Sequence, residues 1–412
     1  MKILDKDKDE LAAKKQKAPG ADDKLVDFTE YRKKTKKKQH KHLFKLIIIL
    51  LGVIAFALVW KNADTIFEPF RGIASRVETK TSMQVGFPIE LPVSGDYSIK
   101  KFGDTFSLLT DTYLYAYDIY GEQRYAIKHG YSNPHITTND KRVLLFDKTG
   151  FKFALYSNSS LLYQKSLDDK IVSTSLGSDN LCAVVTDSDR YSNILYIYDD
   201  GGNWKYTRKF ADENVMQVSF TGDGEHIIVS TISALEGDIV TSYYKFSIKS
   251  QDNSIWKYSL KNNSLPVGMF SDRNIVTSVC DNMVISLNVN DGSLRGKYQF
   301  AGDLEHYSII PGQTVINYSD ISTNRNVVAV LDSNAEPVTS ATVNAGASCV
   351  YNDENGIYVL DGIRLRIYDE ELMDETDIEL GNDTYTRFVK IGNRFFLLGY
   401  NNIDMTETEA SS

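Results

Sequence analysis

Four histidines, one acidic loop and two aromatic groups are the residues of this chain whose types could do chemistry. His129, His135, His226 and His306 lie in turn-rich contexts, and His40 and His42 belong to a basic N-terminal run. None forms an HExxH pair or another metal-ligand spacing, so each reads as a surface or internally satisfied histidine. Asp187, Ser188, Asp189 and Asn193 could offer oxygens to calcium, but no loop of alternating oxygen ligands surrounds them. The aspartates of this chain recur as turn punctuation. Tyr243 and Tyr244 with Trp256, and Trp204 with Tyr206, could form a glycan platform. Packing between neighbouring sheets is the plainer reading of aromatics in outer strands. There is no GxSxG elbow, Walker loop or GxGxxG, and the glycine-rich TGDGEH at 221–226 precedes a strand and not a helix, which makes it a turn. A quinone cofactor would need a tryptophan floor and a metal site, and neither is legible. The sequence therefore assigns no catalytic residue, no cofactor or cofactor-binding residue, and no metal ligand.

Cys182, Cys280 and Cys349 are odd in number and far apart. They read as buried free thiols used as small apolar residues. An outer domain of this size without a disulfide framework fits a Gram-positive exterior better than an animal secretory pathway. The sequons at Asn158, Asn262, Asn317 and Asn382 are chance occurrences in that setting.

The elements that must position these residues begin with an anchor. Leu46 to Trp60 carries no charge, and counting back across Lys45 to Leu43 gives 18 residues. A bilayer core needs about 20 residues of helix, with about 17 as the lower limit. Lys45 and Lys61 can reach the interfaces, and Trp60 is an interfacial aromatic. A cleaved signal peptide is disfavoured, because about 42 residues precede the apolar run. Arg32, Lys33, Lys34, Lys36, Lys37, Lys38, Lys41 and Lys45 all lie on its N-terminal side, which places the N-terminus in the cytoplasm and the C-terminal domain outside.

Charge divides the chain the same way. Residues 1–45 hold 15 cations and 8 carboxylates, a net of +7, while the remainder holds 31 and 47, a net of −16. The tail is too charged and too poor in apolar residues to bury a core, so it reads as disordered. Its cations suit anionic headgroups, through the run from Arg32 to Lys45. The acidic outer part argues against nucleic acid.

From Phe87 to Tyr400 the chain shows no amphipathic helix. Short runs rich in Val, Ile, Tyr, Phe and Thr alternate with Asn, Asp, Gly and Ser, which are strand and turn signals. A polar residue closes an alternating strand at Asp118, Ser157, Asp199, Asn288, Asp332 and Asp369, with one further unit expected near 243–250. A period of about 40 residues built only of strands is the pattern of a β-propeller with four strands per blade. Seven full units fall near 97–130, 131–170, 171–213, 214–263, 264–303, 304–346 and 347–383. The strand at 86–93 and two more in 384–400 are left over. Pairing them makes a shared eighth blade that closes the ring and leaves no open edge. Seven blades with ragged ends is the alternative.

The units VISLNVNDGSLRGKYQF (284–300) and TYLYAYDIYGEQRYAIK (112–128) resemble the PQQ-like and WD-like repeats of bacterial propellers. The whole layout resembles a Gram-positive bacterial family of unknown function, with a basic tail, one transmembrane helix and a propeller outside. That resemblance carries no catalytic residue.

The expectation is thus an all-β fold, a β-propeller of eight (alternatively seven) four-stranded blades, preceded by one transmembrane α-helix. The divisions are a disordered basic cytoplasmic tail (1–42), the transmembrane helix (43–61), a juxtamembrane linker (62–85), the propeller (86–400) and a disordered C-terminal tail (401–412). The expected role is a membrane-anchored binding or scaffolding module for protein partners at the cell envelope. The alternative is an extracytoplasmic enzyme or a glycan or small-molecule sensor that uses the central channel.

Overall fold

A computed structural model describes residues 86–91, 96–343, 347–361, 363–373, 375–381 and 385–408. The tail, the apolar run and the linker up to residue 85 lie outside the described residues. Among those described, no helix is long and apolar enough to cross a membrane.

The described residues form eight sheets of four antiparallel strands. The inner strands of blades 1 to 8 are Ser98–Phe102, Pro134–Thr138, Ile171–Leu176, Asn214–Phe220, Pro266–Ser271, Gly302–Ile310, Ala347–Asp353 and Arg387–Ile391. Each touches the inner strand on either side, and the inner strand of blade 8 returns to that of blade 1, so the ring closes around a central channel. Blade 3 shows the common plan. Ile171–Leu176 is followed outward by Cys182–Thr186, Asn193–Tyr198 and Trp204–Phe210.

The repeat has a chemical cause in the turn between the third and outer strands. Asp118 Oδ1 accepts the N–H groups of Tyr120 and Glu122, both at 2.9 Å. Asp199 does the same for Gly201 and Asn203, Asp332 for Asn334 and Glu336, and Asp369 for Glu371 and Met373. A short side-chain acceptor two to four residues ahead of its donors replaces a backbone turn bond, which is why Asp, Asn or Ser recurs there. Ser247 marks the expected unit between Asp199 and Asn288, accepting the Lys249 N–H.

The core consists of eight apolar layers, one between each pair of adjacent blades. Phe102, Leu114 and Tyr125 of blade 1 pack on Val143, Leu145 and Tyr156 of blade 2, for example. Second strands such as Thr105–Leu109 and Cys182–Thr186 are buried along their whole length. They have a blade on each face, so they lack the alternation of a half-exposed strand, and their few polar residues, Thr105, Ser107 and Thr186, are buried too.

Closure comes from the last blade, where Arg387–Ile391, Arg394–Leu398 and Asn402–Glu407 are completed by Ile89–Glu90 as the outer strand. Ile89 lies opposite Ile403 and Glu90 opposite Asn402, and the Leu91 N–H donates to Asn401 O at 2.8 Å. The shared eighth blade is therefore present. One boundary is corrected: the tail expected from 401 contains a strand, Asn402–Glu407, which lies between its two partners. Its polar sequence, NIDMTE, conceals a fully buried Ile403.

Candidate functional site

Strand direction sorts the turns onto two faces. Because successive strands are antiparallel, the turns between second and third strands share one face with the crossings between blades. The inner–second and third–outer turns share the other, as does the entry of the chain at Gly86, whose N–H donates to Tyr120 O.

On the first face, the second–third turns of five blades each present a large apolar side chain to solvent. These are Phe151 in blade 2, Leu235 in blade 4, Ile321 in blade 6, Ile363 in blade 7 and Tyr400 in blade 8. Ile321 is 76% exposed and Tyr400 71%; on the opposite face Met373, Tyr120, Trp204 and Ile255, in or beside third–outer turns, are also exposed. In blade 4 the turn is carried outward on a hairpin of two ten-residue strands, His226–Leu235 and Asp238–Ser247.

The second feature is a chamber of about 590 Å3 where the inner strands of blades 1, 2, 6, 7 and 8 meet the channel. Its lining includes Lys100, Lys101, His306, Cys349, Arg387 and Lys390, and no carboxylate. Lys390 is nearly buried and paired with Asp353 at 2.5 Å, with its ammonium 4.8 Å from the centre of the Tyr358 ring. Lys100, Lys101 and Arg387 have no ion-pair partner among the described residues. Partial removal from water, and then the nearby Arg387 guanidinium, push the Lys100 ammonium below its usual range. The Lys100 side chain is solvent-exposed, so this shift comes from channel walls on most sides and not from full burial. The same two causes lower the pKa of His306, against a weaker opposing pull from Glu305. Burial raises the Cys349 thiol, while the Phe388 N–H, Arg387 and Lys100 pull it back.

The residues singled out in the sequence are mostly dispersed. His129 holds Thr110 O at 3.0 Å, His226 pairs with Asp223 at 2.7 Å, and His135 packs on Phe146. His306 lines the channel chamber, and His135 lines an adjoining cavity with Lys100 and Arg387. Asn193 is withdrawn from the acidic loop, because its amide donates to Thr186 O and accepts from the Val215 N–H, and Asp187 accepts the Lys170 N–H. No group of three or more potential metal ligands forms among the described residues. Tyr243 and Tyr206 are fully buried, and Trp256 is buried with its indole N–H on Val289 O at 2.8 Å, so these aromatics pack between blades. Trp204 alone of that set is exposed. Cys182 and Cys280 are buried as expected, but Cys349 is only half-buried and borders the chamber. The cation cluster and the apolar turns were not singled out in the sequence. The clue available was the adjacent pair Lys100-Lys101 in a strand expected to line the channel.

Comparison with known proteins bears on the fold. No curated protein matches the chain. Among solved structures it is similar to Saccharomyces cerevisiae Sqt1, at 9% identity and a TM-score of 0.58, over 80% of this chain and 100% of that one. It is also similar to BamB from Moraxella catarrhalis, at 9% identity and a TM-score of 0.55, over 81% of this chain and 99% of that one. The C-terminal WD40 domain of Sif2 matches at 10% identity and 0.54, over 79% and 100%. Identities this low establish a WD40-like and BamB-like propeller fold and nothing about activity. A family model matches residues 76–407, and the chain belongs to the family of unknown function DUF5711.

Proposed function

We propose that this chain is a single-pass membrane protein whose propeller lies outside the cytoplasm and binds protein partners at a Gram-positive cell envelope, without catalysis. The observation that carries the reading is the exposed apolar side chain at the second–third turn of each of five blades, on a propeller whose other face also presents Tyr120, Trp204, Ile255 and Met373. A rigid ring that holds several such anchors in fixed positions suits docking of a folded or extended protein, because little order has to be gained on binding.

The anchoring rests on the apolar run at 43–61 and the eight cations from Arg32 to Lys45 that precede it. Anionic headgroups supply the partner for that cationic run. Protease added to intact protoplasts then removes the propeller and leaves the tail. Digestion of the tail with the propeller intact contradicts the orientation. For the binding role, crosslinking in native membranes followed by purification of the chain recovers a defined partner. The double substitution Ile321→Asp and Tyr400→Asp removes that adduct without changing the fold. An unchanged adduct contradicts the assignment of this face.

A further inference from the structure

The cations in the channel have no role in partner docking or in the fold. Lys100 and Lys101 come from the inner strand of blade 1, His306 from that of blade 6 and Arg387 from that of blade 8. Lys100, Lys101 and Arg387 have no carboxylate ion pair among the described residues, in a part of the chain whose net charge is −16. An acidic surface does not gather unpaired cations in one enclosure by chance. Like charges crowded in a partly desolvated space also raise the energy of the empty state. Elsewhere the same protein pairs its cations across blades, as with Arg142, whose guanidinium donates to both Asp200 oxygens at 2.6 and 2.5 Å, and Lys390 with Asp353. What sets the chamber cations apart is that they share one lining without an ion-pair partner among the described residues, so an outside countercharge would suit them.

We propose that the chamber lined by Lys100, Lys101, His306 and Arg387 is a binding site for a small, multiply charged oxyanion, a phosphate or polycarboxylate group. Arg387 offers a planar fork that fits two oxygens of such a group, and the two lysines act as compact charges beside it. Thr138 lies in the same lining and provides a neutral hydroxyl donor, while the Ser348 hydroxyl donates to Tyr385 O at 3.4 Å. A volume of about 590 Å3 admits a small-molecule ligand and excludes a folded protein. Acidic groups stand close by: Asp353 acts on Tyr351 ahead of Asp140 and pairs with Lys390, Glu305 acts on His306, and Asp96 and Asp111 line an adjoining cavity together with Lys100 and Arg387. This site is separate from the docking face and stands or falls independently of it.

The test uses the full-length protein in mild detergent, titrated with inorganic phosphate and with citrate at constant ionic strength set by chloride. Calorimetry is expected to show one saturable site, with Lys100→Met and Arg387→Met each weakening it about tenfold or more, the scale of one lost charge-assisted contact. Weak binding to the tail from Arg32 to Lys45 persists in both variants and so is distinguished from the chamber. The tighter of the two anions identifies the group as phosphate or carboxylate. Absence of a saturable site for both anions, or equal affinity in the variants, overturns the proposal. Should either variant fail to fold, amine acetylation of the unaltered protein decides the matter. The tighter anion should protect Lys100 and Lys101 while leaving a surface lysine such as Lys128 reactive. Equal modification of all three with and without anion overturns the site.

Discussion

Removing the third strand of the last blade tests ring closure most severely. A chain cut after Tyr400 loses Asn402–Glu407, with five register pairs to Arg394–Leu398 and two to Ile89–Glu90. It also loses Ile403, which is fully buried among Ile89, Phe106, Val389 and Phe396. Deleting a buried Ile side chain alone costs about 2–5 kcal/mol. Net ladder hydrogen bonds contribute about 1 kcal/mol each, and the total approaches about 10 kcal/mol. That is comparable with the whole stability of a folded domain, about 5–15 kcal/mol. The cut chain should therefore fail to show a cooperative transition by circular dichroism, or melt far below the intact chain. A cut after Thr408 keeps every described strand and should melt as the intact chain does. Ile403→Ala falls between, at about 3–8 °C below wild type for a domain of this size. Equal melting of the two truncations would falsify closure by this strand.

Other expectations follow from single groups. Desolvation would push the Asp199 carboxyl up, but hydrogen bonds from Asn203 and Lys205 outweigh it and hold it down at about 2, against 3.8 unperturbed. A depressed folded pKa stabilises above the unfolded value and is lost on acidification, so the stability gap between wild type and Asp199→Asn should close as pH falls from 4 to 2. A gap that widens over that range contradicts the assignment. Burial pushes the Cys182 and Cys280 thiols up to about 12 and about 11, so neither should react with a thiol reagent at pH 8 until urea unfolds the chain. Rapid labelling of either in the native state refutes their placement. Gly296→Ala would drive its new Cβ against the Asn334 carbonyl oxygen of the next blade. Backbone cannot yield cheaply there, and a loss of about 1–3 kcal/mol in urea denaturation is expected. An unchanged midpoint argues against so close an approach of blades 5 and 6.

The blades were legible because one turn recurs, and that turn needs a side-chain acceptor at a fixed place. Asp118, Asp199, Asp332 and Asp369 made the period visible without any help from the core. The strand at 402–407 was missed for the opposite reason: only Ile403 in it is fully buried, and its polar neighbours read as a tail. The channel chamber was beyond the sequence for a geometric reason. Lys100 and Arg387 stand 287 positions apart, and only closure of the ring makes them neighbours. Which inner-strand side chains enter the channel depends on a phase that a shift of one residue reverses. The apolar turns were each visible singly, but a lone exposed Ile or Tyr means little until the fold assigns it to a face.

The central claim is that the face bearing the second–third turns is the one that engages a protein. A photoreactive amino acid placed in turn at Ile321, Tyr400, Tyr120 and Ile255, in cells of the native host, tests it directly. All four positions are exposed, and the last two lie on the opposite face. The account predicts that irradiation joins the same protein to positions 321 and 400 and to neither 120 nor 255. Adducts confined to 120 and 255, or none at any of the four, contradict it.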